Sequence, residues 1–444
     1  MKTLELVEIA FVVILGLNVL AVLLTIGNRT ARSMRQRMMR ARASRIESML
    51  DEFLATGLVE RNLRQLRPQE MDTLAASIIE YLKVLRGSEQ ERLLHLASEV
   101  GLLKRYLGML RSGRRWQRAR GAEYLGFLGG AAASGQLSGL LSDEDETVRA
   151  VAARALARVG TQEAARALAE TLSDPSELTR LRVAENLERV GAEAVRPLVD
   201  TLSSEDQRSL ILAARVLGNL RNHEAGPALE EIVRGDREIN LRAQATLALG
   251  KIGNPDYVPA LLDAAGDEDW PVRAQAANAL RMIGDVSAIP TLKELTVDRE
   301  WWVRLNAARA LVNLGDVGEY ALVDVLEGPD RFGRHRAAAT LEAQGITRRL
   351  VEDLAATSDA GERARRAIQA VIRAGSTKHL RRILETMPDG EEHRILQRML
   401  MQFDASQTDE EPVPVDTGKG RAKSPETSVT ESGPHMAGAG GGAR

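Results

Sequence analysis

The sequence predicts an all-α protein, an α-solenoid of about nine to eleven helical hairpins behind one N-terminal transmembrane helix. Three observations carry this. An uncharged apolar run opens the chain at Ile9–Ile26. A Val-Arg…Gly block returns at intervals of about 31 residues through the middle of the chain. Aromatic residues are scarce among 444 residues (4 Trp, 5 Tyr, 5 Phe), which argues against a β-sandwich or barrel, whose strands draw on aromatic and β-branched side chains. Four regions follow: a transmembrane helix over 1–28, a basic juxtamembrane and linker helix over 29–69, the repeat array with its caps over 70–403, and a disordered tail over 404–444.

The first element spans 18 residues without a charge, IAFVVILGLNVLAVLLTI. As a helix it covers about 27 Å, close to the hydrocarbon thickness of a bilayer. A cleavable signal peptide fits less well. Its basic leader would rest on Lys2 against Glu5 and Glu8, and the apolar stretch is long. Seven arginines follow: Arg29, Arg32, Arg35, Arg37, Arg40, Arg42 and Arg45. By the positive-inside rule the N-terminus faces out and the solenoid lies in the cytoplasm. The same arginines are expected at the membrane surface on anionic headgroups, or serve only to stop translocation. The net charge of −2 hides this segregation: residues 29–45 sum to +7, residues 46–403 to −5 and the tail to −3. With no Cys, disulfides, thiolate metal sites and a Cys nucleophile are excluded.

The repeat is visible in Thr147-Val-Arg-Ala-Val-Ala-Ala-Arg-Ala-Leu-Ala-Arg-Val-Gly160, Pro271-Val-Arg-Ala-Gln-Ala-Ala-Asn-Ala-Leu-Arg-Met-Ile-Gly284 and Trp302-Val-Arg-Leu-Asn-Ala-Ala-Arg-Ala-Leu-Val-Asn-Leu-Gly315. Aligned on the last residue, nine copies end at 129, 160, 191, 221, 253, 284, 315, 345 and 375, all Gly except Arg221. Each copy reads as two helices. The second starts near Val-Arg and ends at the Gly, as a left-handed C-cap requires. The first follows the Gly and carries Pro197, Pro227, Pro259 or Pro290 near its start, where the missing N–H costs nothing. Glu70–Gly101 reads as an extra hairpin with Ser88 and Glu91 spaced as a capping box. Ser376–Phe403 reads as a closing hairpin around Pro388-Asp389-Gly390.

Over about residues 70–403 the pattern resembles HEAT repeats, in particular the short HEAT-like class of the phycobilin lyases. Its period is shorter than the roughly 40–47 residues of standard units. Asp stands six residues before Arg at Asp143/Arg149, Asp174/Arg180, Asp236/Arg242, Asp267/Arg273 and Asp298/Arg304. An acid in the turn and an Arg in the first helical turn pair within or between units, and the expected role of this ladder is structural.

Taking the Arg position as zero, small or apolar residues fill offsets +3, +4, +6, +7 and +10 of the second helix. This places the core on the Arg side and offsets +2, +5 and +9 opposite. In HEAT-like stacks the second helices line the concave surface, so the resemblance places this stripe in the groove. Of its 27 positions eleven are basic: Arg120, Arg154, Arg158, Arg182, Arg189, Arg215, Lys251, Arg309, Arg336, Arg366 and Arg373. Only Glu123 and Glu185 are acidic. Two readings fit: a groove for an acidic partner, whether a protein segment, a nucleic acid or lipid headgroups, or long side chains that keep an Ala-rich helix soluble. Trp116, Trp270, Trp301, Trp302 and Phe332 stand at the starts of second helices, as anchors on the groove rim or as packing against the next repeat.

Enzyme signatures are sparse. Deoxyhypusine hydroxylases use the same short repeats with recurring His-Glu pairs, but this chain has one pair, His223-Glu224. The other histidines (His95, His335, His379, His393, His435) share no repeat position. No phosphate-binding Gly loop, His-Glu-x-x-His or Gly-x-Ser-x-Gly occurs, and neither a metal nor a cofactor is expected. The expectation is a membrane-anchored scaffold or adaptor without catalysis, presenting its solenoid to a protein partner. Bacterial proteins of similar architecture point to a glycosyltransferase-type envelope complex. The rivals are an enzyme of phycobilin-lyase type and a membrane-tethered nucleic-acid binder. Nucleic acid is the less expected partner.

Overall fold

The computed structural model describes residues 40–59 and 65–408, with isolated positions 23, 25, 26, 29, 30, 34, 37, 38 and 63. Among these residues no strand forms. Three helices lead in: α1 (Pro68–Val84), α2 (Ser88–Glu99) and α3 (Leu102–Leu110). The second helices of the nine repeats are α4 (Arg115–Leu128), α6 (Glu146–Val159), α8 (Glu177–Val190), α10 (Gln207–Leu220), α12 (Ile239–Ile252), α14 (Trp270–Ile283), α16 (Trp301–Asn313), α18 (Arg331–Ala343) and α20 (Asp359–Arg373). Between them run first helices α5 (Ser134–Gly139), α7 (Gln162–Glu170), α9 (Val195–Thr201), α11 (Gly226–Arg234), α13 (Val258–Ala265), α15 (Ile289–Leu295), α17 (Asp316–Glu327) and α19 (Ile346–Glu352). The closing hairpin is α21 (Thr377–Thr386) and α22 (Glu391–Thr408).

Local chemistry sets these boundaries. Second helices open on acceptor side chains: Asp145 takes the amides of Thr147 and Val148, Ser176 that of Thr179, and Asp206 that of Ser209. Several close on a left-handed glycine, as at Gly160, Gly253 and Gly284. Where the fourth repeat has Arg221 instead, the backbone still turns left-handed at φ +52°. The capping box expected at Ser88 and Glu91 does not form. Gly87, at φ +67°, occupies the N-cap and Ser88 is already helical. A box closes instead one helix earlier, where Glu70 accepts the Arg67 amide at 2.9 Å.

Consecutive second helices stack closely. A Cβ added to Gly126, Gly218 or Gly250 would lie 2.7, 2.8 or 2.5 Å from the Cα of Ala155, Ala248 or Ala279 on the next second helix. Alanines and glycines thus let the backbones nearly touch. On the first-helix side, Tyr257, in the turn before α13, seats its ring over Gly226 of α11, where a Cβ would not fit. The expected core positions are buried, for example Ala152, Ala153, Ala155 and Leu156 on α6.

The N-terminal region corrects the membrane expectation. Ile9–Ile26 lies outside the described residues except for Leu23, Thr25 and Ile26. Among the described residues no helix is long and apolar enough to cross a membrane. This overturns the single-pass topology with the N-terminus out and the solenoid cytoplasmic. Of the supposed membrane-surface arginines, Arg32 and Arg35 lie outside the described residues, and Arg29, Arg37, Arg40 and Arg45 are exposed. Arg42 is half-buried and reaches Gln69 of α1 at 3.4 Å. The helical segment 40–56 belongs to the protein's own core. Ile46, Met49, Leu50 and Phe53, spaced i, i+3, i+4, i+7, bury one face. Tyr81 donates to Asp51 at 2.5 Å and Arg92 to the Leu54 carbonyl at 3.0 Å.

Candidate partner-binding surface

The Asp/Arg ladder fixes the frame of the surface. Its carboxylate contacts run between repeats. Arg118 pairs with Asp143 at 2.7 Å, Arg149 with Asp174 at 3.3 Å, Arg242 with Asp267 at 3.0 Å, and Arg273 with Asp298 at 2.7 Å. Within a repeat the Arg uses the backbone: Arg149, Arg273 and Arg304 donate to the carbonyls of Asp143, Asp267 and Asp298. Each acid also takes the amide two residues on, as Asp298 does from Glu300 at 2.7 Å. Arg118 was not part of the expected ladder, although it stands eleven residues before Gly129, the spacing that defines the Arg position.

The ladder has gaps. Among the described residues Arg180 forms no ion pair and spends its guanidinium on the Asp174 carbonyl at 2.7 Å. Asp236 is exposed and forms none. The reason is local: the fourth repeat carries Leu210 at the Arg position, and Ser204, which accepts the Asp206 amide at 3.2 Å, stands where the pairing acid would be. An open cavity of about 400 Å³ lies at this α8/α10 seam, lined by Glu177, Arg180, Leu181, Arg208, Ile211 and Leu212.

The eleven stripe cations are all exposed or half-buried. Arg120 at the first end and Arg366 near the last are neutralised. Arg120 pairs with Asp72 at 3.3 Å, and Arg366 with Glu327 at 2.6 Å and Asp324 at 3.1 Å. The Arg366 contacts reach first helix α17, where α20 packs on α17 and α19; Arg366 therefore leaves the open stripe. Among the described residues Arg182, Arg189, Arg215, Arg309 and Arg373 form no ion pair.

Two groups in the middle crowd positive charge. Arg158 lies over the Phe127 ring at 4.1 Å. Burial, with Arg154 and Arg189 nearby, lowers its pKa, and Glu123 opposes. Arg154 contacts Glu123 at 3.6 Å while its Nε is buried without a partner. Further along, Lys251 donates to Asn219 at 2.6 Å, and Asn219 to Glu188 at 2.6 Å, a chain of contacts over three consecutive second helices. Burial lowers the Lys251 pKa. Glu188 resists, and Arg215 and Arg221 add to the lowering.

The aromatic residues are exposed: Trp116 54%, Trp270 40%, Trp301 44%, Trp302 54% and Phe332 65%. Trp301 and Phe332 also contact the neighbouring repeat, under Arg336 and Arg304 respectively. Trp301 and Trp302 meet edge to face at 4.6 Å. Sequence reasoning did not place Phe127 under an arginine or give Asn219 a linking role. Both stand at offset +9, so the register was the available signal. Among the described residues no three His, Asp or Glu side chains gather in a metal-binding group.

The family model for HEAT repeats matches residues 105–188, 166–239 and 227–312. These overlapping segments support a HEAT-repeat family, in keeping with the all-helical solenoid described above. No curated protein matches the chain. Among solved structures, an engineered protein is 21% identical, with 81% of this chain and 98% of that one covered, at a TM-score of 0.30. Human deoxyhypusine hydroxylase in complex with glycerol is 21% identical, with 55% and 97% covered, at 0.25. The karyopherin Kap121p bound to the SUMO protease Ulp1p is 14% identical, with 81% and 50% covered, at 0.43. This chain thus spans about half the length of that karyopherin.

Proposed function

We propose that this chain is a protein-binding scaffold without catalytic activity, whose concave second-helix face takes a partner through an acidic segment. The observation that carries the reading is the group Arg154, Arg158 and Arg189 on the consecutive second helices α6 and α8. Glu123 is the one carboxylate in contact with it among the described residues. Like charges crowded at a partly buried face cost stability, and an acidic partner relieves that cost. An open inner surface of Arg, Lys and Asn over an alanine floor suits an extended segment better than a small substrate. The phycobilin-lyase type of activity has no residue constellation to support it here. A glycosyltransferase-type complex is the first partner class to test, on the family resemblance alone.

The test is a crosslinked pull-down with the full chain beside a variant carrying Arg154→Glu, Arg158→Glu and Arg189→Glu. The expected result is a defined protein captured by the first and lost from the second, with the circular dichroism unchanged. Equal capture by both would remove the stripe from the function. A failure to capture any protein would remove the scaffold reading.

A further inference from the structure

We propose a second, distinct anchoring site at the α16/α18 rim, made by Trp301, Arg304, Phe332 and Arg336, which takes an extended peptide carrying acidic side chains next to an aromatic or aliphatic one. The inference rests on the scaffold reading and adds the place and chemistry of an anchor. Four observations support it. Aromatic and cationic side chains are exchanged between the two helices. Arg336 of α18 lies over Trp301 of α16 at 4.8 Å, and Arg304 of α16 lies over Phe332 of α18 at 5.4 Å.

Neither arginine is neutralised. Among the described residues neither forms an ion pair, and the Arg336 Nε is buried without a hydrogen-bond partner. Arg304 spends Nη1 on the Asp298 and Arg299 carbonyls, which leaves Nε and Nη2 as the forked pair that matches a carboxylate in two-point fashion. Burial lowers the Arg336 pKa, and Arg304 and Arg309 add to this; an incoming carboxylate would raise it.

Apolar contact surface is exposed beside the cations. Trp302 and Phe332 are more than half exposed, and Val297 is 46% exposed. A Cβ on Gly333 would lie 2.7 Å from Val297 Cγ1, so Val297 adjoins the start of α18 and widens the patch. Aromatic and Arg side chains grouped in this way have the composition of a binding hot spot.

The charge around the site favours a peptide over a nucleic acid. Glu300 and Asp330 occupy the N-caps of α16 and α18, and residues 46–403 carry an excess of five acidic charges. The positive potential is therefore confined to a spot, which suits one or two carboxylates and opposes a continuous phosphate chain.

The test is fluorescence anisotropy with the full chain and a fluorescein-labelled peptide of repeating Glu-Glu-Phe. An all-Glu peptide and a single-stranded oligo-uridine serve as comparison probes. The expected result is binding of the Glu-Glu-Phe peptide that weakens at least tenfold in Arg304→Glu/Arg336→Glu and in Trp302→Ala. It should survive in Arg154→Glu/Arg158→Glu/Arg189→Glu. Trp302 is exposed, so its replacement keeps the test valid if the charge reversal unfolds the rim. Undiminished binding in the rim variants overturns the proposal, as does equal affinity for the oligo-uridine, or the absence of peptide binding. If the rim fails while the pull-down of the preceding section succeeds, the scaffold reading stands and this anchor does not.

Discussion

Arg273 on α14 grips Asp298 in the next repeat with two parallel hydrogen bonds, Nε to Oδ2 at 2.7 Å and Nη2 to Oδ1 at 3.1 Å. Its third nitrogen donates to the carbonyls of Asp267 and Glu268 at 2.8 and 2.9 Å. The guanidinium thus ties its own turn to the following one, and both side chains are nearly buried, at 9% and 10% exposure. Removing one partner of a buried pair leaves an unpaired charge. Asp298→Ala is therefore expected to destabilise the array by about 3 kcal/mol, read as a lower urea midpoint. A change below about 0.5 kcal/mol, the size of a surface-pair effect, would show that the contact is not a structural tie.

The same pairs set an acid limit. The hydrogen bond from Arg118 holds the Asp143 carboxyl below its ordinary 3.8. At Asp298 burial works against the lowering, and the Arg273 hydrogen bond, the Glu300 amide and the charges of Arg273 and Arg299 together outweigh it. A carboxyl whose pKa is lower folded than unfolded stabilises the fold fully above the unfolded value, and the gain disappears as pH falls through the folded value. Stability is therefore expected to hold down to about pH 4 and decline below it. Asp143→Asn/Asp298→Asn should show a shallower decline between pH 4 and 2 in a series of thermal melts. Parallel curves for the two proteins would contradict the assignment.

Close helix packing makes a sharp steric prediction. Gly250 faces Ala279 with room for no further carbon. Gly250→Ala is expected to cost about 1–3 kcal/mol as overpacking, despite the better helix propensity of alanine. Gly108 has open space around a built Cβ, so Gly108→Ala should be neutral or stabilising. Equal melting temperatures for the two variants would count against the near-contact of the second helices.

Arg221 is the one described non-glycine residue with a positive φ. A left-handed conformation costs an L-residue roughly 1–2 kcal/mol. Glycine removes that cost but adds freedom to the unfolded chain. Arg221→Gly should therefore raise the stability by about 0.5–1 kcal/mol, seen as a higher melting temperature. A lower one would mean that the Arg221 side chain contributes more than the turn costs.

The broken ladder at α8/α10 predicts where the array opens. Native-state hydrogen exchange should find amides of α8 and α10 exchanging at lower denaturant than those of α12 and α14, where Arg242 and Arg273 are both paired. Uniform protection along the array would place the seam's stability in its apolar contacts alone.

Much of this was legible from residue order. Helix type, the hairpin register, the buried side of each second helix and the closing hairpin follow from a 31-residue period and a helical repeat of 3.6, both local properties. The sequence also determined which positions face away from the buried side, since offsets +2, +5 and +9 point away from the alanines. It misled at the N-terminus, where apolar length stood in for a membrane span. The amphipathic spacing of Ile46, Met49, Leu50 and Phe53, which joins segment 40–56 to the core, went unread.

What only the tertiary structure decided is the partner of each charge. An Asp six residues before an Arg allows a pair within or between units, and the carboxylate meets the Arg of the preceding repeat, because stacking brings those two turns together while the backbone carbonyl satisfies the nearer Arg. In the same way eleven equivalent cations became unequal. Arg120 and Arg366 found carboxylates, Arg158 and Arg336 found aromatic rings, and others stayed unpaired. Periodicity assigns every copy the same direction, but the energy of a charge depends on what the neighbouring repeats place within a few ångströms of it.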